Sequence, residues 1–184
     1  VYGIVQLINF AHGEIYMIGA FTALIVISVL TMMGWNQIAI LLIAAGVAVV
    51  YSSAYGYTME KIAYKPLRQA PRLSALISAI GMSLFLQNYV LLAQTSDFLP
   101  FPGLIPDFEL VILITTTIVM VLLTLLIKFS KIGKAMRATA QDRDMALLVG
   151  VDVNRVISMT FIIGSATAAI GGVLIASHIG QINF

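Results

Sequence analysis

No formal charge occurs between Glu14 and Glu60. About a quarter of the residues in a soluble domain are charged, so an uncharged run of this length has to lie in lipid or among equally apolar neighbours. A spanning helix needs about 20 mostly apolar residues. The run holds two such stretches, 15–33 and 37–57, joined by a short turn at Gly34, Trp35 and Asn36, with Trp35 placed as an interfacial anchor. The same criterion finds 73–96, 110–127 and 156–177, while 1–12 is apolar but too short to cross alone. The expected fold class is therefore all-α: a polytopic transmembrane helix bundle of about five complete spans plus a partial N-terminal one, forming a single domain over 1–184.

Composition excludes the common alternatives. With 60% hydrophobic and 10% charged residues, an ordinary soluble enzyme, a disordered tail and a nucleic-acid-binding domain are all ruled out. The net charge is only +2, and the bases lie in two short segments, so no nucleic acid is expected as a partner. Absence of cysteine removes disulfides, thiolate nucleophiles and Cys-based metal sites. The apolar run starts at Val1, and no base precedes Lys61, so no signal peptide is readable. The chain reads as the interior of a longer protein, incomplete at both ends.

The remaining charges sort by side. Residues 60–72 carry four bases and one acid, and residues 128–155 six bases and three acids, whereas 97–109 carry Asp97, Asp107, Glu109 and no base. Two spans separate the basic loops, so both face the same side, the cytoplasmic one by the positive-inside rule. The acidic loop 97–109 then lies on the opposite, periplasmic side. Charge and helix parity agree independently.

Small residues mark the packing faces. Ala44, Ala48, Ser52 and Gly56 recur every four residues in the second span, as do Gly164, Ala168, Gly172 and Ala176 in the fifth, and such ladders let helix backbones approach closely. The third span carries Ala75, Ala79 and Ser83. The fourth has no Gly or Ala and is expected to face lipid.

Three places could carry function. Asn9, His12 and Glu14 fall between apolar runs, and ionisable groups at membrane depth tend to mark pathways. They fit equally an interfacial position in which they cap a helix starting near Ile15, with Gly13 permitting a break. Gln87 and Asn88 are adjacent inside a span, and since neighbouring helical residues point about 100° apart, at least one should face a neighbour or a pore. An interhelical hydrogen bond and a substrate contact are both open. The loop 128–155 is the most informative. Lys128, Lys131, Lys134 and Arg137 form a basic stripe continuing the preceding helix. Ala138, Gln141, Met145, Leu148 and Val149 then follow at helical spacing, with Asp142 beside them, a stop at Gly150 and Asp152 able to cap the returning helix. A half-apolar, half-charged helix held between two spans is suited to being gripped by another protein. Gly133-Lys134-Ala135 lacks the rest of a phosphate-binding loop, so any nucleotide is bound elsewhere.

The blocks Asn9-Phe10-Ala11-His12-Gly13-Glu14 through Ala20, Tyr64-Lys65-Pro66-Leu67-Arg68, Leu76 through Tyr89, and Arg137, Ala138, Asp142, Ala146, Gly150 and Val151 resemble the LivH-type permeases of branched-chain amino acid ABC importers. The resemblance covers nearly the whole chain. It implies one transmembrane subunit of a bacterial inner-membrane importer, here a fragment of a longer permease. The implied partners are a second permease subunit, two cytoplasmic ATPase subunits and a periplasmic amino-acid-binding protein. No cofactor is implied for the chain itself, since ATP binds the partner subunits. The family's coupling segment falls on 138–150. Urea and short-chain amide permeases of the same superfamily share weaker forms of these blocks and are the alternative. An intramembrane enzyme using His12 and Glu14 is the alternative of a different class.

The charge pattern fixes orientation. In otherwise cysteine-free protein, Asp107→Cys should react with an impermeant maleimide in intact cells and Asp142→Cys only after the membrane is opened; outside labelling of Asp142→Cys would reverse the topology.

Overall fold

The structure is a computed structural model that describes residues 11–68, 70–94, 99–102 and 108–182. It is an all-α bundle whose long helices are α1 (His12–Met32), α2 (Gln37–Met59), α3 (Arg72–Ala93), α4 (Phe108–Phe129) and α7 (Val153–Ile179). Each is long and apolar enough to cross a membrane. Two short helices, α5 (Lys131–Gln141) and α6 (Arg143–Leu148), lie between α4 and α7.

The helices start and stop for local reasons. Asn36 caps α2 by accepting a bond from the Ile38 N–H at 2.9 Å, and Gly34 turns the chain with φ +73. The α2 rod does not end at Met59. It widens into a π-helical turn, Glu60–Tyr64, and then tightens into a 3-10 turn, Lys65–Leu67, before Pro71 precedes α3. Asp152 caps α7, taking the Arg155 N–H at 3.0 Å, and Gly180, with φ +74, terminates it. Beyond Gly180 the chain pairs Gln181–Ile182 (β2) antiparallel with Leu99–Pro100 (β1), and Phe101 N–H donates to Gly180 O at 3.0 Å. The sequence reading had no strand; these two residues a side fasten the outer loop to the end of α7.

The core is built by α1, α2 and α7. Ala44, Ala48, Ser52 and Gly56 are all buried on one face of α2. On α7, Ala168, Gly172 and Ala176 of the expected row are buried and Gly164 is only half-buried, while Ser165 and Ala169 of the adjacent row are buried too, so the contact face is broader than the row expected. The backbones meet with no room for a side chain. A Cβ added at Gly56 would fall 1.9 Å from Ser165 Oγ, at Gly172 2.4 Å from Tyr16 O, and at Gly19 2.8 Å from Ala169 Cα. Gly19, which the ladders did not include, is thus the α1 member of the set. Helix α2 runs antiparallel to α7, with Ser53 against Ile162 and Glu60 against Ser158.

Helix α3 packs more loosely. Ala75 and Ala79 are buried, and Ser78 Oγ donates to Ala63 O at 3.2 Å. No residue of α4 is buried, in keeping with a lipid-facing helix.

Gly172→Ala should destabilise the folded protein by about 1–3 kcal/mol through overpacking, whereas Gly46→Ala, with nothing within 4 Å of the new Cβ, should be neutral or stabilising. Thermal unfolding of the detergent-purified chain measures both. Equal stability of the two variants would mean that the α1–α7 contact is misplaced.

Candidate functional sites: a carboxylate cluster and a bend between two long helices

Helix α1 begins at His12 after Ala11, with no side-chain cap, three residues earlier than expected. The capping role considered for His12 and Glu14 is therefore replaced. Gly13 is no break, and Glu14 sits in the first turn, where the positive end of the helix dipole favours its charge. Its carboxylate reaches across to the middle of α3. Ser83 Oγ and Gln87 Nε2 each donate to Glu14 Oε1 at 2.8 Å. Its Oε2 receives no hydrogen bond among the described residues. The cluster thus lies within the span of α3 and not beyond its end. Asn88 is exposed, and its Nδ2 donates back to Leu84 O at 2.7 Å, so it bonds its own helix. His12 is half-buried. Asn9 lies outside the described residues. Of the five polar candidates, Glu14 and Gln87 are brought together, and Ser83, read only as a small packing residue, joins them.

The segment between α4 and α7 differs from the single helix expected over 138–149. The chain breaks twice. Ser130 caps α5, its Oγ accepting from Gly133 N–H at 2.8 Å, so the basic stripe does not continue α4. Gly133 is required there, because a Cβ would fall 2.2 Å from Ile127 O. Arg137 does not reach out to lipid: its guanidinium donates to Ile127 O and Lys128 O, closing the open carbonyl end of α4. The second break is at Asp142, whose backbone is extended and whose Oδ1 accepts from the N–H groups of Asp144 (2.9 Å) and Met145 (3.1 Å) to start α6. Asp142 is thus a helix cap, and its side chain remains exposed beside the apolar positions.

After α6, Gly150 takes φ +83, its N–H bonds Leu147 O at 3.0 Å, and Val151 N–H bonds Ala146 O at 2.9 Å. This paired pattern is a Schellman turn, and the left-handed residue in it favours glycine. Ala146 is buried beneath the turn, while Met145, Leu148 and Val149 point outward with 61%, 80% and 76% exposure. Gln141 is exposed and Ala138 half-buried. After the break at Asp142, α6 and its turn thus carry a cluster of outward apolar side chains.

Sequence reasoning counted Glu60 only as one acid among bases. It is fully buried. Arg68 pairs with its Oε1, Ser158 Oγ donates to its Oε2 at 2.7 Å, and the same guanidinium donates to Asn154 Oδ1. The available signal was a lone acid directly after a 23-residue apolar helix, in a position where solvation would have been easy.

The sequence profile of the family described as "Branched-chain amino acid transport system / permease component" matches residues 1–184. The chain belongs to this permease family. It is 46% identical over 201 aligned residues to the high-affinity branched-chain amino acid transport system permease protein LivH of Escherichia coli K12 and to its Salmonella typhimurium counterpart. It is 44% identical over 200 residues to the permease protein BraD of Pseudomonas aeruginosa. Each alignment covers 100% of this chain and 65% of the relative, so the chain spans about two thirds of the length of these permeases. No solved structure matches it significantly. Permease relatives and five apolar helices together make this a multi-pass membrane protein.

In this permease chain the bond between Glu14 and Gln87 should show a coupling of about 0.6 kcal/mol, and at most about 1.7, in a double-mutant cycle of Glu14→Gln and Gln87→Leu read by thermal unfolding in detergent. Additive effects of the two changes would remove the contact.

Proposed function

We propose that the chain is the membrane-spanning core of a permease subunit in an ABC importer that carries branched-chain amino acids across the bacterial inner membrane. The profile match over every residue carries this reading. Relatives whose names specify branched-chain amino acid transport support the substrate class. Partner ATPases hydrolyse the ATP, a second permease subunit completes the pathway, and a periplasmic binding protein delivers the amino acid. The chain contributes no catalysis and needs no cofactor of its own. Residues 60–72 and 128–155 face the cytoplasm and 97–109 the periplasm.

Within this reading the bend of α5 and α6 couples the ATPases to the bundle. Met145, Leu148 and Val149 form an apolar surface on a segment outside the spans, where water contact is unfavourable and a protein groove offers burial. Ala138, Gln141, Asp142, Ala146 and Gly150 shape and brace it. Glu14 lies on the translocation pathway with His12 and Gln87, its Oε2 available to the ammonium of a passing amino acid.

Met145→Glu in the complete importer, reconstituted in proteoliposomes, should lower both binding-protein-stimulated ATP hydrolysis and leucine uptake by about tenfold or more, because a charge is forced into an apolar groove. Wild-type rates in that variant would place the coupling surface elsewhere. Uptake of urea or a short amide, with none of leucine, isoleucine or valine, would overturn the substrate.

A further inference from the structure

The Glu60 cluster ties together three stretches of chain by their polar side chains. Glu60 belongs to the π-helical turn extending α2, Arg68 to the entry into α3, and Asn154 and Ser158 to the first two turns of α7. A buried ion pair is seldom a strong stabiliser compared with apolar packing, yet removing one partner is costly because the other charge is stranded. Such a pair is poor glue but a stiff link. It holds one arrangement until a second, equally satisfied one becomes available.

What it links is informative. Only Val151, Asp152 and Val153 separate Asn154 from Gly150 of the Schellman turn, and Asp152 is fixed as the α7 cap. A push on α6 therefore reaches the start of α7 with almost no slack. From there Ser158 and Asn154 pass it to Glu60 and Arg68, and through them to α2 and α3. A polar groove of about 400 Å³ runs beside the cluster, lined by Lys61, Lys65, Arg155 and Ser158 among others, which leaves room for these side chains to rearrange.

We propose that the Glu60–Arg68 pair, held to α7 by Ser158 and Asn154, is the joint that makes the two cytoplasmic loops move as one body, so that Glu60 and Arg68 are positioning residues for energy coupling. The inference rests on the permease reading above. It assigns neither residue a contact with substrate or nucleotide.

The test uses the complete importer in proteoliposomes. The double variant Asn154→Ala, Ser158→Ala removes α7's half of the joint while leaving the ion pair intact, and Glu60→Gln weakens the pair itself. Both should assemble with the ATPases and keep basal ATP hydrolysis. Both should lose about tenfold in leucine taken up per ATP hydrolysed, within the usual range of coupling free energies. The chain has no cysteine, so with cysteine-free partners Lys65→Cys and Asp144→Cys can carry spin labels. In the otherwise unaltered protein their separation should stay narrow through the ATP cycle, and in the double alanine variant it should broaden when ATP binds. Wild-type uptake per ATP in the double variant, or a label separation the alanines do not alter, overturns the joint. If Glu60→Gln fails to assemble, the double variant decides alone. If the unaltered complex moves no branched-chain amino acid, the permease reading fails, and the label separation still decides whether the loops are joined.

Discussion

The approach of α1, α2 and α7 backbone to backbone is the constraint on which the other features rest. In lipid, apolar surface gains nothing by leaving its solvent, so helices associate through close van der Waals contact and interhelical hydrogen bonds. Gly19, Gly56 and Gly172 supply that contact at three points where even a methyl group has no space. This fixes the rotation of each helix, and with it which polar side chains face inward. Glu14 can meet α3, and Glu60 can meet α7, because the three-helix core leaves them no other direction.

The two carboxylates solve one physical problem in different ways. Glu60 is fully enclosed, and its charge is answered by a guanidinium as well as by a hydroxyl. Glu14 is half-buried and is met by an uncharged hydroxyl and an amide, both on one oxygen. The first arrangement consumes the group's bonding capacity at both oxygens. The second, among the described residues, engages one oxygen only. That difference, and not position in the chain, distinguishes the two carboxylates.

Spans were legible because lipid imposes a long-range rule on composition that survives any detail of packing. The uncharged stretch from Glu14 to Glu60 and the lone aliphatic helix α4 could be placed from residue type alone. The ladder on α2 was legible too, since a four-residue repeat of small side chains follows helix periodicity. The ladder on α7 was legible at Ala168, Gly172 and Ala176, but not that Ser165 and Ala169 of the adjacent row share the contact, because that depends on the partner helices. The loop 128–155 was read as one stripe because apolar spacing continues across Asp142. Whether an aspartate lies inside a helix or caps the next one depends on a backbone dihedral that spacing does not encode. Glu60 was missed for a related reason: an acid beside bases looks solvated until a second helix closes over it.

Helix α7 is fastened near both of its ends, at one by Asn154 and Ser158 in its first two turns and at the other by the β1–β2 pairing just past Gly180. Its 27 residues make a rod of about 40 Å, so swinging it by about 5° about one end carries the other through about 3.5 Å. Because the strand pair travels with that tip, a small rotation imposed near Asp152 becomes a visible displacement of Leu99 and Phe101 on the far face. Geometrically such a rod converts an angle at one end into a distance at the other.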